Sequence, residues 1–168
     1  FDGSCWPNPH GVASYGFVVY QNDVRIHDGC ATIGRGYGMT NNVAEAAGLC
    51  ALLDYLISEK FDRSADILIQ GDSMVVLNVA IGKKKQPRGF FVKQALEARV
   101  KLLALEMFAP VRLEGIPRDM NREAALMEGV QSQFATIKSD LDRQAGNRTQ
   151  GPITNPLSLS LPAGFGMF

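Results

Sequence analysis

Histidine, cysteine and tryptophan are scarce in this 168-residue chain, and net charge is absent. Two histidines, His10 and His27, are too few for a histidine-based metal centre. Cys5, Cys30 and Cys50 stand far apart, are odd in number and form no C-x-x-C pair, so neither a zinc ribbon nor a disulfide framework is indicated. A reducing compartment is the default. Lys+Arg and Asp+Glu both number 17, which excludes a uniformly basic nucleic-acid binder but not a local basic patch. No run reaches membrane-spanning length, and no charged-then-apolar leader opens the chain. The expected location is therefore intracellular, cytoplasmic or beside the genome, and not secreted. What remains is globular in composition, at 46% hydrophobic and 20% charged residues.

Residues 14–21 and 24–33 are β-branched and aromatic around Asn22-Asp23 and read as a hairpin. Gly34, Gly36 and Gly38 break that pattern; with no Lys-Ser/Thr ending they do not form a phosphate loop. A helix is expected from Asn41-Asn42, capped by Asn42 with Glu45 three residues on, and striped by Leu49, Leu52, Leu53 and Leu56. Residues 66–70 read as a buried strand, 73–81 as a short helix and 82–89 as a basic loop. A helix over about 91–108 places Leu96, Val100, Leu103 and Met107 on one face; 111–116 is a strand. A last helix opens near Asn121, with Met127, Val130, Phe134, Ile137 and Leu141 on one stripe. Residues 145–168 are rich in Pro, Gly and Leu-Ser, so the expected organisation is a domain over 1–144 and a tail over 145–168. Alternating elements after a hairpin imply an α/β fold with a mixed sheet covered by helices.

Three carboxylates stand where a strand or turn meets a helix: Asp2 in Asp2-Gly3-Ser4, Glu45 after Thr40-Asn41-Asn42, and Asp72 in Gly71-Asp72-Ser73. If the first and fourth strands are neighbours, the three converge at one end of the sheet. Clustered carboxylates suit hard cations such as Mg²⁺, and two such ions about 4 Å apart activate water and stabilise a leaving phosphodiester oxygen. Each also has a plainer reading: Asp2 as a turn residue, Glu45 as a capping-box partner, Asp72 as a helix cap.

Asp-Gly-Ser, Thr-Asn-Asn-x-x-Glu, Gly-Asp-Ser and Arg118-x-x-Asn121, in that order across residues 1–130, resemble the ribonuclease HI family. The resemblance implies a ribonuclease H-like, five-stranded mixed β-sheet in order 3-2-1-4-5, flanked by α-helices. It implies an endonuclease that hydrolyses the RNA strand of RNA/DNA hybrids with Mg²⁺ or Mn²⁺, two ions in an active form. Asp2, Glu45 and Asp72 match the catalytic, metal-binding carboxylates. Gly3, Ser4, Asn8, Asn41 and Asn42 match positions along the hybrid, the Asn pair reading the minor groove and the 2′-hydroxyl. Lys83, Lys84, Lys85, Arg88 and Lys93 lie where some members carry a basic protrusion, and Arg118 near a loop concerned with product release. A solvated loop and simple helix caps are the plainer alternatives for these basic and Asn residues. Trp6 beside Pro7 reads as a packing residue, and His10 and His27 as surface or strand residues.

The sequence departs from the family at one position: Ala125 stands where the last helix carries a fourth metal-binding Asp. Glu123 lies about 200° away around a helix and points elsewhere. Glu128, three residues on and about 60° off, shares the face and is the substitute ligand to consider. Three explanations stand: an inactivating Asp→Ala change, a binding-only homologue, or an active enzyme that uses another carboxylate. A non-catalytic hybrid- or duplex-binding module of a larger protein or assembly is the alternative function, with a protein partner engaged by the C-terminal helix end or tail. Phe1 is not Met and only it precedes Asp2, so the expectation is a natural protein that begins earlier.

Overall fold

The computed structural model describes residues 1–59 and 65–127. β1 (Asp2–Trp6), β2 (Val12–Gln21) and β3 (Val24–Arg35) form an antiparallel meander. Asn22 and Asp23 take φ of 51° and 62° between β2 and β3, the left-handed region these residue types tolerate, and so reverse the chain in two residues. α1 (Asn41–Ser58) follows. Its cap is Thr40, not Asn42: Thr40 is extended, and its hydroxyl accepts from the Val43 N–H at 3.2 Å. Asn41 and Asn42 are thereby shifted into the first turn.

β4 (Ile67–Gly71) and β5 (Val111–Gly115) pair in parallel, joined through α2 (Met74–Ala80) and α3 (Val92–Glu106). A 3₁₀ turn over Arg118–Met120 leads to helical residues 122–127. The expected α/β architecture of mixed strands and flanking helices is present, and no described helix is long and apolar enough to cross a membrane. The ladders run β3-β2-β1 and β4-β5, the neighbours that the order 3-2-1-4-5 requires. The seam differs from one continuous sheet: β1 and β4 form no ladder of their own, and the Phe1 amino group donates to the Gln70 carbonyl at 2.9 Å. The Phe1 ring lies against Gly71, where a Cβ would collide with it.

Leu49, Leu52, Leu53 and Leu56 are buried beneath α1, as their spacing predicts. α3 differs from expectation. It packs on α1 through Ala95, Ala98, Leu102 and Leu105, whereas Leu96, Val100, Leu103 and Met107 are 45%, 68%, 53% and 74% exposed. Two alanines let the helices approach closely, and Lys101 fixes the pairing with 2.7 Å contacts to Asp54 on α1 and Glu97 on α3. The Cys50 thiol of α1 donates to the Gln94 carbonyl at 3.1 Å, and none of the three cysteines forms a disulfide. The domain boundary at 144, the stripe from Val130 to Leu141 and the tail lie outside the described residues.

β1 crosses α1 at two glycines. A Cβ at Gly3 would overlap the backbone of Ala44 and Glu45, and one at Gly48 would sit 3.3 Å from the Asp2 carbonyl. Gly3→Ala must force β1 and α1 apart, because both colliding groups are backbone. The expected loss is about 1–3 kcal/mol of unfolding free energy, read by urea denaturation; an unchanged midpoint would show the contact to be slack.

Candidate active site

Asp2 opens β1, Glu45 lies one turn into α1, and Asp72 follows β4 directly. The Gly3 contact brings the first two together; the seam between β1 and β4 brings the third. One carboxylate oxygen from each lies within 4.8 Å of the others. Asp2 is 1% exposed and Glu45 6%, and Asp72 is half-buried. Both Asp2 carboxylate oxygens and Glu45 Oε2 are buried with no hydrogen-bond partner among the described residues.

An acid buried without a partner resists ionising, and a second negative charge adds to the resistance. Burial, followed by the Asp2 and Asp72 charges, pushes the Glu45 carboxyl up to about 9. Burial and the Asp72 charge likewise raise Asp2, against smaller opposing pulls from the Gly3 N–H, then the Arg118 charge and the Glu45 carboxyl. Unpaired, inward-aimed oxygens beside like charges are what a divalent cation would satisfy. The residues therefore fit a hard cation with an oxygen donor set.

Asn121 belongs to this site and was read from the sequence only as the opening of the last helix. It is 6% exposed, and its Nδ2 donates to the Phe1 carbonyl at 2.7 Å and to Asp72 Oδ1 at 3.2 Å. It ties the seam to one carboxylate. The Arg118-x-x-Asn121 motif was the available signal, but which atoms the amide meets depends on the fold. Ala125 lies in the same helical stretch, its N–H bonded to the Asn121 carbonyl at 3.2 Å, and its methyl brings no ligand. Glu128 lies outside the described residues.

The expected substrate-facing residues divide. Asn8, Asn41, Asn42 and Arg88 share the wall of one open hollow of about 410 Å³ with Phe90. Asn41 Oδ1 accepts the Cys5 N–H at 2.8 Å, which fastens α1 to β1 and leaves Nδ2 to donate elsewhere; Asn8 Oδ1 accepts the Asn41 N–H at 3.2 Å. Lys83, Lys84 and Lys85 are exposed on the loop after α2, Lys93 is exposed in the first turn of α3, and Arg118 is exposed on the 3₁₀ turn. Ser4 is half-buried in β1. Gly3 is buried, and its missing side chain serves the packing on α1. Trp6 corrects an expectation, for at 77% exposed it is not a packing residue. His10 stacks on Tyr37, and Tyr37 meets the edge of Phe90, with centroids 5.3 and 5.2 Å apart.

No protein-family model matches the sequence. Solved structures do match. Ribonuclease H1 from the halophilic archaeon Halobacterium salinarum NRC-1 is 28% identical, with a TM-score of 0.66 over 79% of this chain and 94% of that one. The N-terminal RNase H domain of Rv2228c from Mycobacterium tuberculosis is 26% identical, with a TM-score of 0.69 over 82% of this chain and 94% of that one. The chain has the ribonuclease H-like fold. LC11-RNase H1, isolated from compost, shares the fold at 20% identity in a structure solved with an RNA/DNA hybrid, with a TM-score of 0.66 over 80% of this chain and 95% of that one. The carboxylate cluster of this ribonuclease H-like chain is thus placed where two strands and a helix meet.

The raised carboxyl sets a pH dependence for the cation-free protein. Glu45 folded keeps its proton to about pH 9, against 4.5 ordinarily. Between those values the folded state binds more protons than the unfolded state. Its stability is therefore full below the ordinary value and falls as pH rises, by at most about 1.4 kcal/mol per unit. Glu45→Gln removes that titration. In chelator near pH 8 the variant should melt above the parent, with the gap closing near pH 5. Added Mg²⁺ or Mn²⁺ should raise the parent's melting temperature and barely move the variant's. A variant no more stable than its parent at pH 8 would contradict the buried, strained carboxylate.

Proposed function

We propose that this chain is a divalent-cation-dependent endonuclease acting on the RNA strand of RNA/DNA hybrids. The observation that carries the reading is the set of buried, unpaired oxygens of Asp2 and Glu45 beside Asp72, in a fold shared with ribonucleases H1. Asp2, Glu45 and Asp72 would hold the cation, Mg²⁺ or Mn²⁺. A divalent cation bound there lowers the pKa of an attacking water and offsets charge on the leaving 3′-oxygen. Asn121 holds Asp72 in place through its amide and so acts as a positioning residue. Asn41 and Asn42, with Asn8 and Arg88, line the hollow at the start of α1 and would meet the hybrid by hydrogen bonds to backbone and 2′-hydroxyl groups. The exposed Lys83, Lys84 and Lys85 would add salt-dependent phosphate contacts.

Ala125 favours a second reading, hybrid binding without turnover, because the last helix offers only a methyl at the fourth ligand position. In the leading reading the same methyl leaves one cation under-coordinated and turnover slow. A labelled hybrid incubated with Mg²⁺, and separately with Mn²⁺, distinguishes the two. Ala125→Asp should raise kcat/KM by about 100-fold or more, the scale of a lost transition-state contact. Asp72→Asn should abolish cleavage and leave hybrid binding measurable. Binding without cleavage by both the parent and Ala125→Asp would overturn the enzyme reading and establish the binding module.

A further inference from the structure

The exposed face of α3 is a patterned surface that the fold leaves uncovered among the described residues. Leu96, Val100, Leu103 and Met107 recur at intervals of four, three and four, and fall within about 60° of one another on the helix. That is the alternation of a coiled-coil seam, with Leu96 and Leu103 at d-type positions and Val100 and Met107 at a-type positions. One flank of the seam carries Arg99 and Glu106, seven residues apart; both are exposed and neither has an ion-pair partner among the described residues. The other flank carries Glu97, engaged by Lys101, and Ala104.

We propose that this face of α3 pairs with the same face of a second copy of the chain, antiparallel about a two-fold axis. Charge complementarity selects both the partner and the direction. In the antiparallel alignment Leu96 meets Met107 and Val100 meets Leu103. Like flanks then face each other, so Arg99 of each copy meets Glu106 of the other, two equivalent ion pairs from one symmetry operation. A parallel alignment would set Arg99 opposite Ala104 and form neither pair. Both helices are already folded on their domains, so pairing carries no helix-nucleation cost. The seam is about 17 Å long. That is short of the roughly 800 Å² per partner of a standard interface, so the pairing is weak, with a dissociation constant of tens of micromolar.

Sedimentation velocity on the full chain, from about 1 to 300 µM, should show the weight-average mass climbing toward two chains. Leu103→Glu should keep the parent's circular dichroism and melting temperature and stay monomeric throughout. Arg99→Glu and Glu106→Arg, each alone, should weaken association about tenfold, and the double variant should restore it. That rescue separates a two-fold seam from unspecific hydrophobic association. A parent that stays monomeric at the highest concentration overturns the proposal. So does a dimer indifferent to Leu103→Glu, or a double variant no better than either single one. If residues 128–168 cover the face instead, the parent is monomeric and Leu103→Glu melts lower, which also refutes it.

Discussion

The contact of Gly3 with the first turns of α1 governs the rest of this molecule. β1 and α1 come from distant parts of the sequence, and they meet backbone to backbone because residue 3 has no side chain. The distance between Asp2 and Glu45 follows from that contact, since each residue adjoins one of the touching groups. Gly48 repeats the approach one turn further along, against the Asp2 carbonyl. Asn41 then fastens the same junction by accepting the Cys5 N–H. A close crossing of this kind excludes water, and the exclusion gives the carboxylates their unusual state.

Burying acids together opposes folding, and the structure offsets little of it from within. Among the described residues neither Asp2 oxygen has a hydrogen-bond partner, and Glu45 is held protonated to about pH 9. A core of similar volume built from apolar groups would be more stable. Retaining the arrangement makes physical sense where a cation completes it, because a dipositive ion reverses the sign of every interaction in the cluster. Asn121 is consistent with this: its amide steadies Asp72 and the Phe1 carbonyl without bringing positive charge, leaving the acids unneutralised.

Much of this was legible in the sequence. Asp2, Glu45 and Asp72 stood at element boundaries, and a boundary is where a side chain reaches the end of a sheet. The hairpin at Asn22-Asp23 and the leucine stripe of α1 were likewise carried by local chemistry. The misreadings share a cause. Thr40 and Asn42 are both competent caps, and the choice between them depends on Asn41 being drawn to β1, a contact 36 residues away in the chain. The packing role of Gly3 went unread, because no local signal marks a glycine that another backbone will touch. α3 has two candidate faces, and spacing named the more apolar one. The helix instead buries Ala95 and Ala98, whose small size permits the approach and the Lys101 bridge to Asp54. Hydrophobicity ranks faces by what they gain from burial, not by which neighbour is near.

The cluster and the α3 face are both left unfinished by the fold, but they constrain their partners differently. An apolar stripe is satisfied by any surface that excludes water, since the hydrophobic effect has no direction. Only the spacing of Arg99 and Glu106 along its edge narrows the choice to one alignment. The carboxylates need no such help. Their oxygens fix the sign of the missing charge, converge on one small volume and lie at the end of β4. Unpaired charge therefore specifies what would bind, whereas uncovered apolar surface specifies only that something could. In this chain the chemistry is accordingly encoded by a few polar atoms that the core cannot satisfy, and the large apolar residues around them serve to hold those atoms away from water.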